Sequence, residues 1–325
     1  MERDIIWGSS FSPEYSKYLG DSNPIETLNI INKELGIQDF RLGLRWNVVE
    51  RDGKVSLRYY EKYIDYLLKS NCKVCLNVGP IKVMRWPEEH IPEYVEVGKR
   101  TIVKKDSEIA KYAIEYFKKL LELIKKEYGQ GKNISFQIEN ECFNRFGHKR
   151  LLMSNEYLVE IATILHEYFP KSKLMMDSSA RKDLRKLIHL FEIFVKNELF
   201  EWEQLTLGIN YYSMIPEIRP FLKRIEALSF YLPWSMPLST LKKYQKVKGF
   251  GLEISEAQFE PWGEMTLPGN SVEELRYVVK HGLKIFPNNY KERVIRLWGM
   301  EEFGLKIKEK RLTSEHRDII KEFFC

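Results

Sequence analysis

The chain has 325 residues, of which 44% are apolar and 30% are charged, and its formal net charge is +6. This length suffices for one large core or for two ordinary domains. Lys and Arg are scattered along predicted helices without a dense basic block or basic-aromatic interleaving, so the composition does not indicate a nucleic-acid partner. The longest apolar run, at 227–238, is too short and too interrupted by proline to span a bilayer, so no transmembrane segment is predicted.

Cysteine usage points to a reducing compartment. Cys72 and Cys75 stand three apart on a predicted strand and so face opposite sides, which is poor geometry for a shared metal. No His, Asp and Glu cluster has metal-ligand spacing, so we predict neither a metal nor a cofactor. Nothing at the N-terminus resembles a signal peptide, and we expect a cytoplasmic protein whose cysteines, Cys142 and Cys325 included, are free thiols.

Short apolar segments alternate with amphipathic helical patterns along the whole chain. The segments predict eight strands, at 4–9, 38–45, 73–79, 134–139, 173–178, 205–211, 249–255 and 293–298. No linker or low-complexity stretch divides them, so we predict one α/β domain over 1–325, a single (β/α)₈ TIM barrel. A doubly wound open sheet is the alternative, but the first βα turn reads GSSFSPEY where that fold has a glycine-rich phosphate loop.

Two carboxylates fall where a barrel places its chemistry, at the C-terminal ends of strands. The fourth strand, ISFQIE, runs into Asn140 and Glu141, and the seventh, GFGLEIS, runs into Glu256. Glu253 differs from Glu256 by three positions and should face the other way, toward the helices or the barrel interior. A pair of carboxyls at one barrel mouth suits glycoside hydrolysis, whose stereochemical outcome depends on their separation.

Three motifs carry a family resemblance. QIENE at 137–141 resembles the fourth-strand motif of clan A glycoside hydrolases, most closely the family 35 β-galactosidases. GPIKVMRWPEEHIPE at 79–93 is similar to the third-strand loop of family 35, and SEAQFEPWG resembles the seventh-strand nucleophile segment of families 35 and 42. The resemblance implies that Glu141 is the acid/base and Glu256 the nucleophile of a retaining enzyme.

Two further segments resemble family 1 β-glycosidases. FRLGLRW at 40–46 matches the second-strand segment, which implies that Arg41 contacts the nucleophile; Arg45 faces the same side and is the alternative. GINYYS at 208–213 matches the sixth-strand motif, which implies that Asn210 lies in the sugar site and that Tyr212 contacts the nucleophile. The family 1 motif TENG and the third-strand His-Trp that holds the sugar are absent, so sugar specificity carries over less well than the catalytic residues.

Other side chains are candidate sugar contacts. Asn140 is expected to bond the 2-hydroxyl, and Trp298, which ends the eighth strand, is expected to stack on the sugar. The remaining candidates lie in loops and each has a structural alternative, packing for the tryptophans and an ion pair for the lysine: Lys82, Trp86, Trp262 and Glu260.

These inferences predict a carbohydrate-active enzyme. We expect an O-glycosyl hydrolase that cleaves β-glycosidic bonds by double displacement, on a β-galactoside, β-glucoside or β-mannoside. A sugar-binding pseudo-enzyme and a transglycosylase on the same barrel are the alternatives. The apolar stretch at 227–238 is expected to wall the aglycone side of the site, or otherwise to form a hydrophobic patch for a homo-oligomer contact or a membrane surface.

Overall fold

Eight parallel strands close into a barrel in the computed structural model, which describes residues 5–85, 87–179, 181–211, 236–259 and 272–324. Each strand pairs with its neighbours in chain order, and the last pairs with the first. The strands are β1 (Ile5–Phe11), β2 (Asp39–Gly43), β3 (Lys73–Gly79), β4 (Ile134–Ile138), β5 (Leu174–Ser178), β6 (Leu205–Tyr211), β7 (Gly251–Gln258) and β8 (Arg293–Trp298). The predicted (β/α)₈ barrel is confirmed.

Helices surround the barrel in the described ranges. They are α1 (Pro13–Tyr18), α2 (Pro24–Lys33), α3 (Trp46–Val49), α4 (Glu61–Lys69), α5 (Glu108–Tyr128), α6 (Asn155–Tyr168), α7 (Arg181–Lys196), α8 (Leu238–Lys248), α9 (Val272–Gly282), α10 (Met300–Lys308) and α11 (Ser314–Ile319). Short 3₁₀ turns occupy Trp202–Gln204 and Leu283–Ile285, and a π-helical turn occupies Ile320–Phe324. Two-residue strands pair outside the barrel, Glu50–Arg51 with Lys54–Val55 and Ile102–Val103 with Leu152–Met153.

The core lies between the barrel and its helices. Helix α5 shows how the sequence achieves this: its apolar residues recur every three or four positions, and Ala113, Phe117, Leu120 and Ile124 are all buried. Lysines and glutamates occupy its opposite face. The strands carry near-continuous apolar runs because helices cover their outer side while side chains fill the barrel interior.

Strand β7 contains a bulge that decides how its glutamates point. Ile254 is paired with Ile209 of β6, but the next pair joins Glu256 to Asn210, so Ser255 is an extra residue on β7. A bulge shifts the alternation of side chains by one residue. Glu253 and Glu256 therefore both face the barrel interior, Glu253 near the N-terminal end and Glu256 at the C-terminal mouth, instead of facing opposite sides as their spacing predicts.

Candidate active site

The end of β4 leaves regular strand geometry at its two glutamates. Glu139 has a φ of 42° and Glu141 a φ of 44°, left-handed values that non-glycine residues seldom adopt. Such outliers persist only where the surroundings hold them, and they cluster at functional sites. Here they turn Glu139, Asn140 and Glu141 in three different directions, and all three side chains are buried.

Glu141 reaches the mouth of the barrel between two amide side chains. Oε1 accepts a hydrogen bond from Nδ2 of Asn210 at 2.8 Å, and Oε2 accepts one from Nδ2 of Asn144 at 2.9 Å. Its backbone N–H donates to Oδ1 of Asp177 on β5 at 2.9 Å. Both oxygens of the Glu141 carboxyl thus contact neutral groups.

Glu256 contacts a cation instead. Nη2 of Arg41 lies 2.6 Å from Oε1 of Glu256, and both side chains are almost wholly buried. The same nitrogen donates to Oδ1 of Asn140 at 2.7 Å, while Nη1 donates to the carbonyl oxygen of Ser255 at 3.1 Å. Nη1 also lies 3.6 Å from Oδ2 of Asp177. One buried guanidinium therefore organises side chains from β2, β4, β5 and β7.

A short chain of hydrogen bonds connects Glu141 with Ser255, the residue before Glu256. The hydroxyl of Ser255 donates to Oδ1 of Asn210 at 2.7 Å, and Asn210 in turn donates to Glu141. Gly208, two residues before Asn210, leaves room for this arrangement, because a Cβ at that position would lie 2.6 Å from the Ser255 oxygen. The bulge residue of β7 thereby orients the amide that holds Glu141.

Asp177 and Glu88 belong to this cluster although the sequence analysis did not single them out. Asp177 is the fourth residue of β5, LMMDS, and burial raises the pKa of its carboxyl while the Arg41 cation opposes that rise. Glu88 comes from the loop after β3 and accepts a hydrogen bond from Nδ2 of Asn140 at 2.6 Å. Asp177 carries the signal that marks Glu141, a carboxylate at the end of a buried strand; Glu88 lies in a loop, where that signal is lacking.

Lys82 has a structural contact in place of the predicted sugar contact or ion pair. Its side chain is fully buried, and Nζ donates to the carbonyl oxygens of Glu141 at 3.0 Å and Asn144 at 2.9 Å. Behind it, the Glu139 carboxylate accepts hydrogen bonds from the backbone N–H of Lys82 at 2.6 Å and from the hydroxyl of Tyr157 at 2.7 Å. Lys82 and Glu139 thus hold the loops after β3 and β4 together through buried hydrogen bonds.

Trp298 lies at the mouth with one partner that the sequence did not predict. The guanidinium carbon of Arg85 stands 4.0 Å from the Trp298 ring centroid and 3.8 Å from that of Tyr15. Nη2 of Arg85 pairs with Oε2 of the buried Glu301 at 2.6 Å. A cation–π stack of this kind fixes the indole, so a sugar stacking on Trp298 has only the face turned away from Arg85.

Arg45 and Glu253, the alternatives to Arg41 and Glu256 that the sequence left open, both lie away from the Glu141 carboxyl. Arg45 follows the end of β2 and lies 3.7 Å from Glu14, so its guanidinium is not the one that contacts Glu256. Glu253 is paired with Arg296, which also bonds Asp39 at 2.7 Å. These residues line a cavity of about 560 Å³ at the N-terminal end of the barrel, opposite the mouth that holds Glu141.

Several predicted site residues lie outside the described residues. They are Trp86, Tyr212, Glu260 and Trp262, together with residues 227–235 of the apolar stretch. Met236, which the structure does describe, is buried.

Neither a metal site nor a membrane-spanning helix is present in the described part of the chain. No group of three or more His, Cys, Asp or Glu residues there is placed to hold a metal ion. No helix there combines the length and the apolar character that crossing a bilayer requires.

Solved structures of glycoside hydrolases share this architecture. A GH5 (subfamily 4) endo-β-1,4-glucanase from Bacillus licheniformis aligns over 99% of the chain, with a TM-score of 0.57 and 15% identity. A GH5 lichenase from Caldicellulosiruptor sp. F32 aligns over 99% of the chain and 92% of its own length, with a TM-score of 0.56 and 12% identity. An exo-β-1,4-mannosidase from Opitutaceae bacterium strain TAV5 aligns over 91%, with a TM-score of 0.55 and 12% identity.

The alignments define the class of fold. The chain spans 58% of the length of the glucanase and 52% of that of the mannosidase. No protein-family model and no curated protein matches the sequence. At 12–15% identity the likeness shows the fold alone, a (β/α)₈ barrel. This fold agrees with the resemblance to glycoside hydrolases, while the activity that the resemblance implies and the finer likeness to families 35, 42 and 1 stay predictions.

Proposed function

We propose that the chain is a retaining β-glycosidase in which Glu256 is the nucleophile and Glu141 the acid/base. The observation that carries the proposal is the unequal surroundings of two buried carboxyls at one barrel mouth. Glu256 contacts the Arg41 guanidinium at 2.6 Å, whereas both oxygens of Glu141 contact amides. A cation stabilises the ionised form that a nucleophile needs, and the two amides hold the Glu141 carboxyl in position for proton transfer.

The chemistry then runs in two displacements. Glu256 attacks the anomeric carbon while Glu141 donates its proton to the departing oxygen, which leaves a glycosyl ester on Glu256. The ester removes the negative charge of Glu256, and Glu141, now a carboxylate, takes a proton from the water that cleaves the ester. Asn140, held by Arg41 and Glu88, is the group proposed to bond the sugar 2-hydroxyl.

The substrate class is proposed as β-glycosides with a neutral sugar. The aligned enzymes named above act on β-1,4-glucan and β-1,4-mannoside linkages by their names, and the third-strand motif of this chain resembles β-galactosidases. Gluco, manno and galacto configurations are therefore all to be assayed. Arg85 is already paired with Glu301, so its charge is not free for an anionic sugar.

The test combines a substrate panel with variants at the two carboxyls. Wild type is assayed on 4-nitrophenyl β-glucoside, β-mannoside and β-galactoside, and the first-formed anomer is identified by NMR; retention is expected. Glu256→Ala should be inactive, and azide should give an α-glycosyl azide. Glu141→Ala should still react with dinitrophenyl glycosides, and azide should give the β-glycosyl azide.

Glu253→Gln is the matched control on the same strand. It removes a buried carboxylate that is paired with Arg296 at the other end of the barrel, so it should lower stability and leave the chemistry intact. An inverted first product would refute the role of Glu256. Activity that persists in Glu256→Ala and disappears in Glu253→Gln would mean that the wrong glutamate of β7 has been assigned.

A further inference from the structure

The loop after β3 brings a third carboxyl to the barrel mouth. Glu88 is buried, and its Oε2 accepts a hydrogen bond from Nδ2 of Asn140 at 2.6 Å. Its other oxygen, Oε1, makes no hydrogen bond in the described part of the chain. Oε1 is not among the side-chain atoms of the described residues that are buried without a partner, so it is accessible to a ligand at the mouth.

The loop is built to hold Glu88 in this place. Glu88 has a φ of 69°, and its backbone carbonyl accepts a hydrogen bond from Val83 at 2.9 Å while its N–H donates to Arg85 at 2.8 Å. The neighbouring Glu89 accepts from the backbone N–H of Lys149 at 3.1 Å and of Leu151 at 3.2 Å. A strained residue held by so many contacts is a mark of preorganisation.

The charges around Glu88 favour its neutral form. Burial is the largest influence that raises the pKa of this carboxyl well above its ordinary value, and the nearby Glu141 and Glu256 add to the rise. Lys82 and the hydrogen bond from Asn140 act in the opposite direction. A neutral carboxylic acid offers an O–H donor as well as an acceptor. With Oε2 engaged by Asn140, the donor available is the O–H on Oε1.

We propose that Glu88 is a specificity-determining residue that donates a hydrogen bond from Oε1 to the 3-hydroxyl of the glycone. The inference rests on the proposed function. Asn140 would form a hydrogen bond with the 2-hydroxyl of the sugar. A carboxyl that is itself bonded to Asn140 would then contact the hydroxyl on a neighbouring ring carbon. On the other side of C2 lies the reacting carbon, which Glu141 and Glu256 serve, so the position left for Glu88 is C3.

The test uses substrates that lack one hydroxyl. The parent probe is the 4-nitrophenyl β-glycoside that wild type cleaves fastest, and its 3-deoxy and 2-deoxy counterparts are compared with it. Glu88→Ala should lower kcat/KM by about 10- to 100-fold on the parent and by less than about 3-fold on the 3-deoxy substrate, because that substrate has no hydroxyl to lose. Glu88→Gln should retain most activity, because its amide keeps an acceptor for Asn140 and a donor for the sugar.

Controls separate this role from a structural one. Glu89→Ala removes the adjacent carboxylate, which binds only loop backbone in the described ranges, and it should lower kcat/KM equally on parent and deoxy substrates. If Glu88→Ala folds poorly, Glu88→Gln and Glu88→Asp replace it, with Asp expected to lose the 3-hydroxyl contact through its shorter reach. Thermal unfolding of each variant is measured alongside.

Each outcome bears on the inference. An equal loss on the parent and the 3-deoxy substrate, or no loss, overturns it. A loss that disappears only on the 2-deoxy substrate also overturns it, since Glu88 would then act through Asn140. A wild type that cleaves none of the glycosides overturns the proposed function and this inference together, whereas an active wild type with an unselective Glu88→Ala overturns the inference alone.

Discussion

Replacing Arg41 by methionine is the perturbation whose consequences the structure defines most closely. Methionine keeps much of the buried volume but removes the guanidinium, which is fully buried and contacts Glu256 at 2.6 Å, Asn140 at 2.7 Å and Asp177 at 3.6 Å. Two carboxylates on different strands then lose their shared cation. Arg45→Met is the matched control, because Arg45 follows the same strand but pairs at 3.7 Å with the partly exposed Glu14.

The magnitude follows from the cost of leaving a buried charge unpaired. Removing one partner of a buried ion pair costs about 3–5 kcal/mol, whereas an exposed pair contributes ~0–1 kcal/mol. A chain of 325 residues has an unfolding entropy of about 0.7 kcal/mol per kelvin. A loss of about 4 kcal/mol therefore corresponds to a fall of ~6 °C in Tm for Arg41→Met. The fall for Arg45→Met should be smaller, because the contact of Arg45 with Glu14 is longer, at 3.7 Å, and both side chains are about 15% exposed.

The loss of stability in Arg41→Met should also depend on pH. Burial already raises the pKa of Asp177, and Arg41 opposes that rise, so the variant should raise this pKa further. A carboxyl whose folded pKa exceeds its unfolded value binds more protons when folded, and stability then falls as pH increases between the two values. The deficit of Arg41→Met should therefore be larger at pH 8 than at pH 5.

Calorimetric unfolding of both variants and wild type at pH 5, 6.5 and 8 measures these differences. Adding Asp177→Asn to Arg41→Met should recover part of the loss, because one unpaired carboxylate is removed with its cation. Equal Tm losses for the two arginine variants, or an Arg41→Met deficit that shrinks as pH rises, would refute the reasoning.

Three further changes have defined expectations. Lys82→Met removes an ammonium bound to two backbone carbonyls and should destabilise the chain by about 2–4 kcal/mol in denaturant titrations, whereas the exposed Lys69→Met should change stability by less than ~0.5 kcal/mol. Burial raises the pKa of Glu139 to about 7, so wild type should lose up to about 3 kcal/mol between pH 4.5 and pH 7 relative to Glu139→Gln, as read from unfolding curves in that window. Asn210→Ala frees one Glu141 oxygen and should lower kcat about 10-fold or more with little change in Tm, and a fall in KM alone would contradict this.

The sequence by itself determined the barrel and the end of the barrel at which the candidate site lies. The alternation of apolar strands with amphipathic helices is a local property of the sequence. Each of the eight predicted strands overlaps an observed one, because a strand that is buried on both faces requires a continuous apolar run. Glu141 could be found in the same way, since a carboxylate ending such a run in a barrel lies at the mouth. Asp177 carries the same signal and could have been found.

Which of Arg41 and Arg45 contacts Glu256 depends on where strand β2 ends, and the sequence does not show that residue. Alternation places both on one side, but β2 ends at Gly43, and α3 begins at Trp46. Side-chain parity holds only within a strand, so Arg45 leaves the barrel and Arg41 stays inside. The directions of the Glu253 and Glu256 side chains depend on the bulge at Ser255. No residue of the segment GLEISEAQ predicts that bulge.

Only the tertiary structure decided the contacts made by the loop after β3. Lys82 turned out to hold backbone carbonyls, Arg85 to cover a face of Trp298, and Glu88 to bond Asn140. Periodicity carries no information there, because a loop has no repeating geometry. Glu88 reaches Asn140 across 52 positions of sequence, and its left-handed backbone is stable only because contacts from distant segments hold it. Interactions between residues so far apart in the chain exist only once the barrel has closed.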